Sequence, residues 1–206
     1  MNEGKNTSFK INSAIQKVLK KEWVPLVVIV IIAVLMADVI GRISKTTSKD
    51  NSSKTTTKAA TYEAIADTME FDISDDAIAF INDNPQFFPG NSSNTGAISD
   101  HIDFSIDYAH VAKNPFKYSD RLMCIFGEVV DCQELEENGN TLTYVHIEDY
   151  SGYDYCVYYL GELPNVFEGN DVTVTFLPFN VITFENIGGY YTKAIVGAAC
   201  YVNYAE

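Results

Sequence analysis

The feature that most constrains this chain is a run of strand-like segments between Arg121 and Val202. Each segment is short, rich in β-branched and aromatic residues, and bounded by turn residues, which is the pattern of strands rather than of helices. In the segment from Thr141 to Asp149, Thr143, Val145 and Ile147 alternate with Tyr144, His146 and Glu148. Such alternation predicts a strand with one face towards a core and the other face outward.

Five strands can be placed in this run, at residues 121–132, 141–149, 153–160, 171–178 and 194–202. Gly127 interrupts the first, and we expect a β-bulge there that bends the strand. Residues 161–169 contain a proline and end in glycine, which predicts a loop or one helical turn. Five strands with a connector after the third is the order of an OB-fold, a partly open Greek-key barrel.

The predicted fold class is therefore mainly β (α+β), with a five-stranded OB-fold-like barrel at residues 121–206. A short helical segment at residues 62–120 precedes the barrel, and one N-terminal transmembrane helix precedes that segment. Within residues 62–120, Ser74 is suited to cap a helix that ends before Asn84. A second helix is predicted from about Asp107 to Lys113.

Residues 23–41 form an apolar stretch close to the roughly 20 residues that a helix needs to cross a bilayer. Pro25 falls in the first turn, where its missing N–H costs little, and Trp23 suits the membrane interface. Lysines precede the stretch, so a cleaved signal peptide is the competing interpretation. No convincing small-residue cleavage site or lipobox cysteine follows, so we predict an uncleaved anchor with the lipid bilayer as its partner.

The anchor is flanked by a basic tail at residues 1–22 and by a Ser/Thr/Lys linker at residues 42–61. The linker has too few large apolar residues to bury a core. Five basic residues lie close to the anchor on each side, so the positive-inside rule does not decide the orientation. We favour a cytoplasmic tail because Lys17, Lys20 and Lys21 adjoin the apolar stretch. This orientation makes the chain a single-pass cell-membrane protein with its C-terminal domain outside the cytoplasm.

The net charge of −14 is unevenly distributed along the chain. Residues 1–61 hold ten Lys or Arg against four Asp or Glu, whereas residues 62–206 hold four against 24. Nucleic-acid affinity comes largely from Lys and Arg that displace counterions from phosphates. The acidity of the domain therefore predicts that nucleic acid is not a partner.

The stretch from Tyr108 to Tyr118 reads Tyr-Ala-His-Val-Ala-Lys-Asn-Pro-Phe-Lys-Tyr, and Gly127-Glu-Val-Val follows in the first strand. It resembles the segment before the barrel in tRNA-anticodon-like OB-fold proteins, which occur in membrane-anchored and lipoprotein chains of Firmicutes. The similarity covers about Tyr108 to Val202, and Asp120 stands where glycine is usual. The resemblance implies the fold and a location at the bacterial surface, and it implies no activity.

Motifs for known chemistry are sparse. The four cysteines form no C-x-x-C pair, and we expect them to be core residues, with one disulfide left open as an alternative. No Ser/His/acid motif or glycine-rich phosphate loop stands out, so no cofactor is predicted. His146 and Glu148 project from the same face of a strand, as metal ligation or acid–base chemistry would require, although an ordinary exposed face looks the same.

Tyrosines are the stronger clue to binding. Tyr150, Tyr153, Tyr155, Tyr158 and Tyr159 crowd the third strand and its approach. Because successive side chains of a strand point to opposite faces, not all of these tyrosines can point into the barrel. Some must lie outside, on the face that OB-folds use for ligands. The predicted binding residues are Tyr144, His146, Tyr153, Tyr155 and Tyr159, and the predicted ligand is a peptide, a glycan or an envelope protein. The alternative is that Phe87 and Phe88 pack over this face.

These observations predict a non-enzymatic, membrane-anchored binding or accessory module that works outside the cytoplasm in the bacterial envelope. One alternative is an envelope enzyme with a metal-assisted site at His146 and Glu148. The other is a structural subunit of a membrane complex assembled through the transmembrane helix.

Overall fold

The computed structural model describes residues 57–137, 140–185 and 189–204. The helices are α1 (Lys58–Met69), α2 (Asp75–Asp83), α3 (Thr95–Asp100) and α4 (Tyr108–Lys113), with 3-10 turns at Pro85–Phe87 and Pro115–Tyr118. The strands are β1 (Met123–Glu137), β2 (Asn140–Asp149), β3 (Asp154–Tyr159), β4 (Asp171–Glu185) and β5 (Tyr191–Tyr204).

The predicted transmembrane helix at residues 23–41 and the basic tail before it lie outside the described residues. Within the part of the chain that the structure describes, no helix has the length and apolar character needed to cross a bilayer. Helix α1 begins at Lys58, inside the predicted linker at residues 42–61, and the Thr57 hydroxyl caps it by accepting from the Ala60 N–H at 3.2 Å. The folded part therefore starts before the expected boundary.

The five strands form one sheet in the order β1-β2-β3-β5-β4, and pairing between β1 and β4 closes it into a barrel. All neighbouring strands are antiparallel except β3 and β5, which are parallel. The prediction of a mainly β domain with five strands and an OB-fold-like arrangement is confirmed.

Strand β1 pairs with two neighbouring strands along its length, β4 first and then β2. Its first residues pair with β4 as far as Glu128, and its remainder pairs with β2 as far as Glu137. The register shift that marks the bulge lies between Val129 and Asp131, so the expected bulge at Gly127 was wrong. Gly127 meets a different need, because a Cβ atom there would lie 2.4 Å from the Glu148 carbonyl oxygen. The glycine permits the close approach of β2.

Two apolar cores result from the two faces of the sheet. The interior core takes residues from all five strands, including Val129, Ile147, Val157, Phe176 and Ile195. The second core lies between the outer face of the sheet and the segment that precedes β1. Its largest members are Tyr62, Phe80, Phe87, Phe88, Tyr158 and Phe179.

The lead-in segment, residues 57–120, packs on the sheet through aromatic rings. Tyr62 of α1 is fully buried, contacts Phe179 edge-on at a centroid distance of 5.6 Å, and donates its hydroxyl to the Tyr158 carbonyl at 3.4 Å. Phe71 stacks on Tyr158 at 6.5 Å. Farther along, the Gly90 N–H donates to the Cys200 carbonyl of β5 at 3.0 Å. The segment is therefore a second layer of the same domain.

Local capping residues also explain where α2 and α4 begin. Ser74 caps α2 by accepting from the Ala77 N–H at 3.2 Å, and Asp107 caps α4 by accepting from the His110 N–H at 2.9 Å. Both helices end at an asparagine that precedes a proline, as predicted. Helix α3 was not predicted from the sequence.

We expect Tyr62→Ala to lower the free energy of unfolding by about 3–5 kcal/mol, because it leaves a large cavity between α1 and the sheet. Tyr62→Phe should cost only about 1 kcal/mol, since it removes one hydrogen bond. Urea unfolding followed by circular dichroism measures both. Glu63→Ala, at the exposed neighbouring position, is the control and should change stability by less than about 0.5 kcal/mol. Equal effects of Tyr62→Ala and Glu63→Ala would contradict the packing described.

Candidate binding site

The predicted binding residues do not form one site. Tyr144 and His146 lie on the outer face of β2, whereas Tyr155 and Tyr159 join the interior core from β3. Tyr153 lies just before β3, on the turn that connects it to β2. Alternation along the strands separates these side chains, so the structure places the five residues in three environments.

On the outer face, His146 pairs with a carboxylate from the adjacent strand. Its Nε2 donates to Asp154 Oδ1 at 2.7 Å, and the two side chains are 12% and 18% exposed. Phe184 meets the imidazole edge-on at 5.7 Å, and Asp131 of β1 is the cross-strand neighbour of His146. Burial raises the pKa of the Asp131 carboxyl. The polar partner of His146 is thus Asp154 rather than Glu148, which is exposed.

Across the described ranges, the structure shows no group of three or more His, Cys, Asp or Glu side chains placed to hold a metal ion. The polar residues near His146 instead make hydrogen bonds among themselves. One of these joins the Gln133 amide nitrogen to Asp131 Oδ2 at 2.6 Å. The His146–Asp154 hydrogen bond joins β2 to β3, whereas the Gln133–Asp131 hydrogen bond lies within β1.

The remainder of the outer face is covered. Tyr144 lies with its hydroxyl 3.2 Å from Cys156 Sγ, and Tyr158 is buried under Phe71. Burial raises the pKa of the Tyr144 and Tyr158 hydroxyls, as expected for phenols removed from water. The alternative interpretation, in which the lead-in segment with Phe87 and Phe88 packs over the sheet, holds for this part of the face.

A cleft of about 340 Å³ opens elsewhere, where the β2–β3 turn meets the loop before α4. Its walls come from three segments: residues 106–109, residues 123–126 at the start of β1, and residues between 149 and 155. The cleft brings together Tyr153 and Tyr155 of the predicted set. It excludes Tyr144, His146 and Tyr159.

Two stacked tyrosine rings form one wall of the cleft. The centroids of Tyr108 and Tyr153 are 4.2 Å apart, and their planes differ by 8°. The Tyr108 hydroxyl donates to the Lys193 carbonyl at 2.9 Å, and Tyr155 meets the Tyr108 ring edge-on at 5.8 Å. The hydrogen bond and the two ring contacts fix Tyr108, so this wall is formed before any ligand arrives.

Asp149 organises the turn beside this wall. Its Oδ1 accepts from the N–H groups of Ser151 and Tyr153, both at 2.9 Å, and its Oδ2 accepts from the Tyr155 hydroxyl at 3.2 Å. Burial, followed by the Asp149 charge, raises the pKa of Tyr155 far above its ordinary value. The Tyr155 hydroxyl therefore remains a donor across the physiological pH range.

A second carboxylate, Asp107, lines the cleft from the start of α4. It accepts from the backbone N–H of His110 at 2.9 Å and from its imidazole Nδ1 at 2.6 Å. These hydrogen bonds, the backbone one first, hold the pKa of the Asp107 carboxyl below its usual range. Asp107 is consequently ionised at neutral pH.

Exposed aromatic rings lie at the cleft and beside it: Phe126 and Tyr153 line it, and Tyr150 contacts Phe126. Tyr150 is 68% exposed, Phe126 46% and Tyr153 42%. Phe126 and Tyr150 contact each other at a centroid distance of 5.4 Å, and the Tyr150 hydroxyl donates to Asp171. Clustered, exposed aromatic rings of this kind are typical of interaction surfaces.

Sequence reasoning missed Tyr108 and Phe126 as residues of this site. Tyr108 was noted only within a family resemblance, and its contact with Lys193 spans 85 residues. Phe126 followed the strand pattern and gave no sign that its ring stays uncovered. The available signal was the crowding of tyrosines after Asp149, which pointed to the correct turn.

The cysteines are all unpaired, and one of them was misjudged. Cys156 and Cys200 are buried and Cys132 is half-buried, in keeping with the expectation of core residues. Cys124 is exposed and lies on the cleft wall, contrary to that expectation. Burial raises the pKa of Cys132 to about 11 and of Cys156 to about 12, so both thiols are poorly reactive near neutral pH.

No family model and no curated protein matches this chain. Among solved structures, the chain is similar to the mitochondrial single-stranded DNA binding protein Rim1 from S. cerevisiae, at 16% identity. The alignment covers 41% of this chain and 92% of that one, with a TM-score of 0.30. A likeness at this level carries no argument about the ligand of this chain.

The predicted absence of nucleic acid as a partner is nevertheless corrected. It rested on the acidity of residues 62–206 alone, and the solved structure named above is that of a single-stranded DNA binding protein. Net charge describes a whole surface, whereas a local site can differ from it. The exclusion of nucleic acid is therefore withdrawn.

Proposed function

We propose that this chain is a non-enzymatic, membrane-anchored binding or accessory module of the bacterial envelope. Its barrel domain lies outside the cytoplasm and takes its ligand in the cleft beside Tyr108 and Tyr153. The apolar stretch at residues 23–41 and the resemblance to membrane-anchored tRNA-anticodon-like OB-fold chains of Firmicutes support the location.

The stacked pair of Tyr108 and Tyr153 is the observation that carries the binding proposal. Aromatic anchors that are fixed in advance lose little conformational freedom on binding, so more of the contact energy appears as affinity. The hydrogen bonds of Tyr108 to Lys193 and of Tyr155 to Asp149 supply this fixation. The exposed rings of Phe126 and Tyr150 enlarge the contact surface around the cleft.

The binding proposal predicts that a photo-crosslinking residue at Ser151, on the cleft wall, gives a discrete adduct in intact cells. Adding Tyr153→Ala should reduce the adduct about tenfold or more, because truncation of a central aromatic anchor costs at least about 1.4–2 kcal/mol. The measurement is the yield of the adduct on an immunoblot.

The matched control places the crosslinker at Glu162, which is exposed and does not line the cleft. This position should give no adduct that depends on Tyr153. An adduct at Ser151 that persists unchanged in Tyr153→Ala would refute the cleft as the binding site.

The proposed location predicts that a membrane-impermeant maleimide labels Cys124 in intact cells. Cys124 is the exposed thiol of the four, and Cys124→Ser should abolish the labelling. A mass shift of the purified protein measures the extent of reaction. Labelling that occurs only after cell lysis would place the domain on the cytoplasmic side.

A further inference from the structure

The charge that lines the cleft has one sign. Asp107 and Asp149 contribute carboxylates, and no lysine or arginine is among the lining residues. Arg121 is engaged by Asp103 at 2.7 Å, and Lys193 meets Tyr108 through its backbone carbonyl. Residues 62–206 carry four basic against 24 acidic residues, so the surrounding field is also negative. Such a field attracts cations and raises their local concentration.

The ring surfaces of the cleft suit the same kind of ligand. A tyrosine face attracts an ammonium or guanidinium group, and a guanidinium plane also stacks on an aromatic ring. The partly exposed rings of Tyr153 and Phe126 stand on the same cleft as the carboxylates of Asp107 and Asp149. Rings and carboxylates together favour a cation over a neutral group.

The size of the cleft limits how much of a ligand it can hold. About 340 Å³ is at the low end of the range for ligand pockets, which is roughly 300–1,000 Å³. One long side chain fits within it, while the flanking backbone would lie across the exposed rings of Tyr150 and Phe126. The mouth of the cleft is therefore suited to a peptide rather than to a free metal ion.

We propose that the cleft receives an arginine or lysine side chain from a basic segment of a partner protein. This inference rests on the proposed function and names the ligand class for the same site. The charged head lies between the carboxylates of Asp107 and Asp149, and its aliphatic stem packs on the rings of Tyr153 and Phe126. The domain thus selects basic segments by local charge complementarity.

The test uses the full-length chain in a non-ionic detergent and two ten-residue peptides. The peptides are identical except that one carries three arginines and the other carries three citrullines, which are uncharged and nearly isosteric. The readout is the rate at which iodoacetamide alkylates Cys124 on the cleft wall. We expect the arginine peptide to protect Cys124 with an affinity at least about tenfold higher than the citrulline peptide, and added salt to weaken this protection.

Two variants reduce the charge and keep one side-chain oxygen each, although Asp149→Asn replaces the second oxygen, which accepts from the Tyr155 hydroxyl. Asp107→Asn retains an oxygen to cap α4, and Asp149→Asn retains an oxygen for the turn. Each should weaken protection by the arginine peptide several-fold. Asp83→Asn makes the same charge change at an exposed position on α2 and should have no such effect. If Asp149→Asn lowers the melting temperature of the protein, the comparison of Asp107→Asn with Asp83→Asn alone tests whether the cleft charge is required.

The outcomes separate this inference from the function on which it rests. Equal protection by both peptides would overturn the requirement for charge and leave the cleft as a binding site. Arginine-peptide binding without Cys124 protection, or no protection by either peptide, would overturn the assignment of a basic segment to the cleft. If Cys124 is protected in the absence of peptide and added salt removes that protection, the cleft is occupied by the chain's own basic residues instead of by a partner. The proposed function fails separately, if the Ser151 adduct is insensitive to Tyr153→Ala.

Discussion

The burial of aromatic rings between the lead-in segment and the outer face of the sheet is the interaction on which this structure depends. A sheet closed into a small barrel has only its interior to bury, and Tyr62, Phe71 and Phe88 give it a second core. The Tyr62 hydroxyl joins the layers by donating to the Tyr158 carbonyl across 96 residues of sequence. Since large aromatic side chains dominate core energetics, this layer determines which parts of the sheet remain open.

That coverage moves the candidate site away from the face that OB-folds commonly use. The Tyr144 and Tyr158 side chains are withdrawn into the second core, and His146 is held by Asp154. The β2–β3 turn lies beyond the covered area. There, Asp149 orients the turn and Tyr155, while Tyr153 stacks on Tyr108 of the lead-in segment. The same segment thus covers one surface and forms a wall of another.

The sequence predicted what depends on local pattern. The alternation of Val145 and Ile147 with polar neighbours located β2, and the Ser74 cap located α2. It failed where contacts between distant parts of the chain determine the structure. The bulge lies after Val129 rather than at Gly127, because its position depends on where β1 changes its partner strand. Helix α1 begins within a stretch whose composition matched a linker, and its Thr57 cap and its packing against the sheet explain its stability. Alternation also showed that the tyrosines divide between two faces, but not which face would be covered.

Hydroxyl-radical footprinting of the tyrosines tests this account most directly, because it compares covered and open rings within one sample. We predict slow modification of Tyr62 and Tyr158, which are buried between the layers, and rapid modification of Tyr150 and Tyr153 at the cleft. Modification of Tyr158 at the rate of Tyr153 would show that the outer face of the sheet is open. That result would contradict the layered packing and the position of the candidate site derived from it.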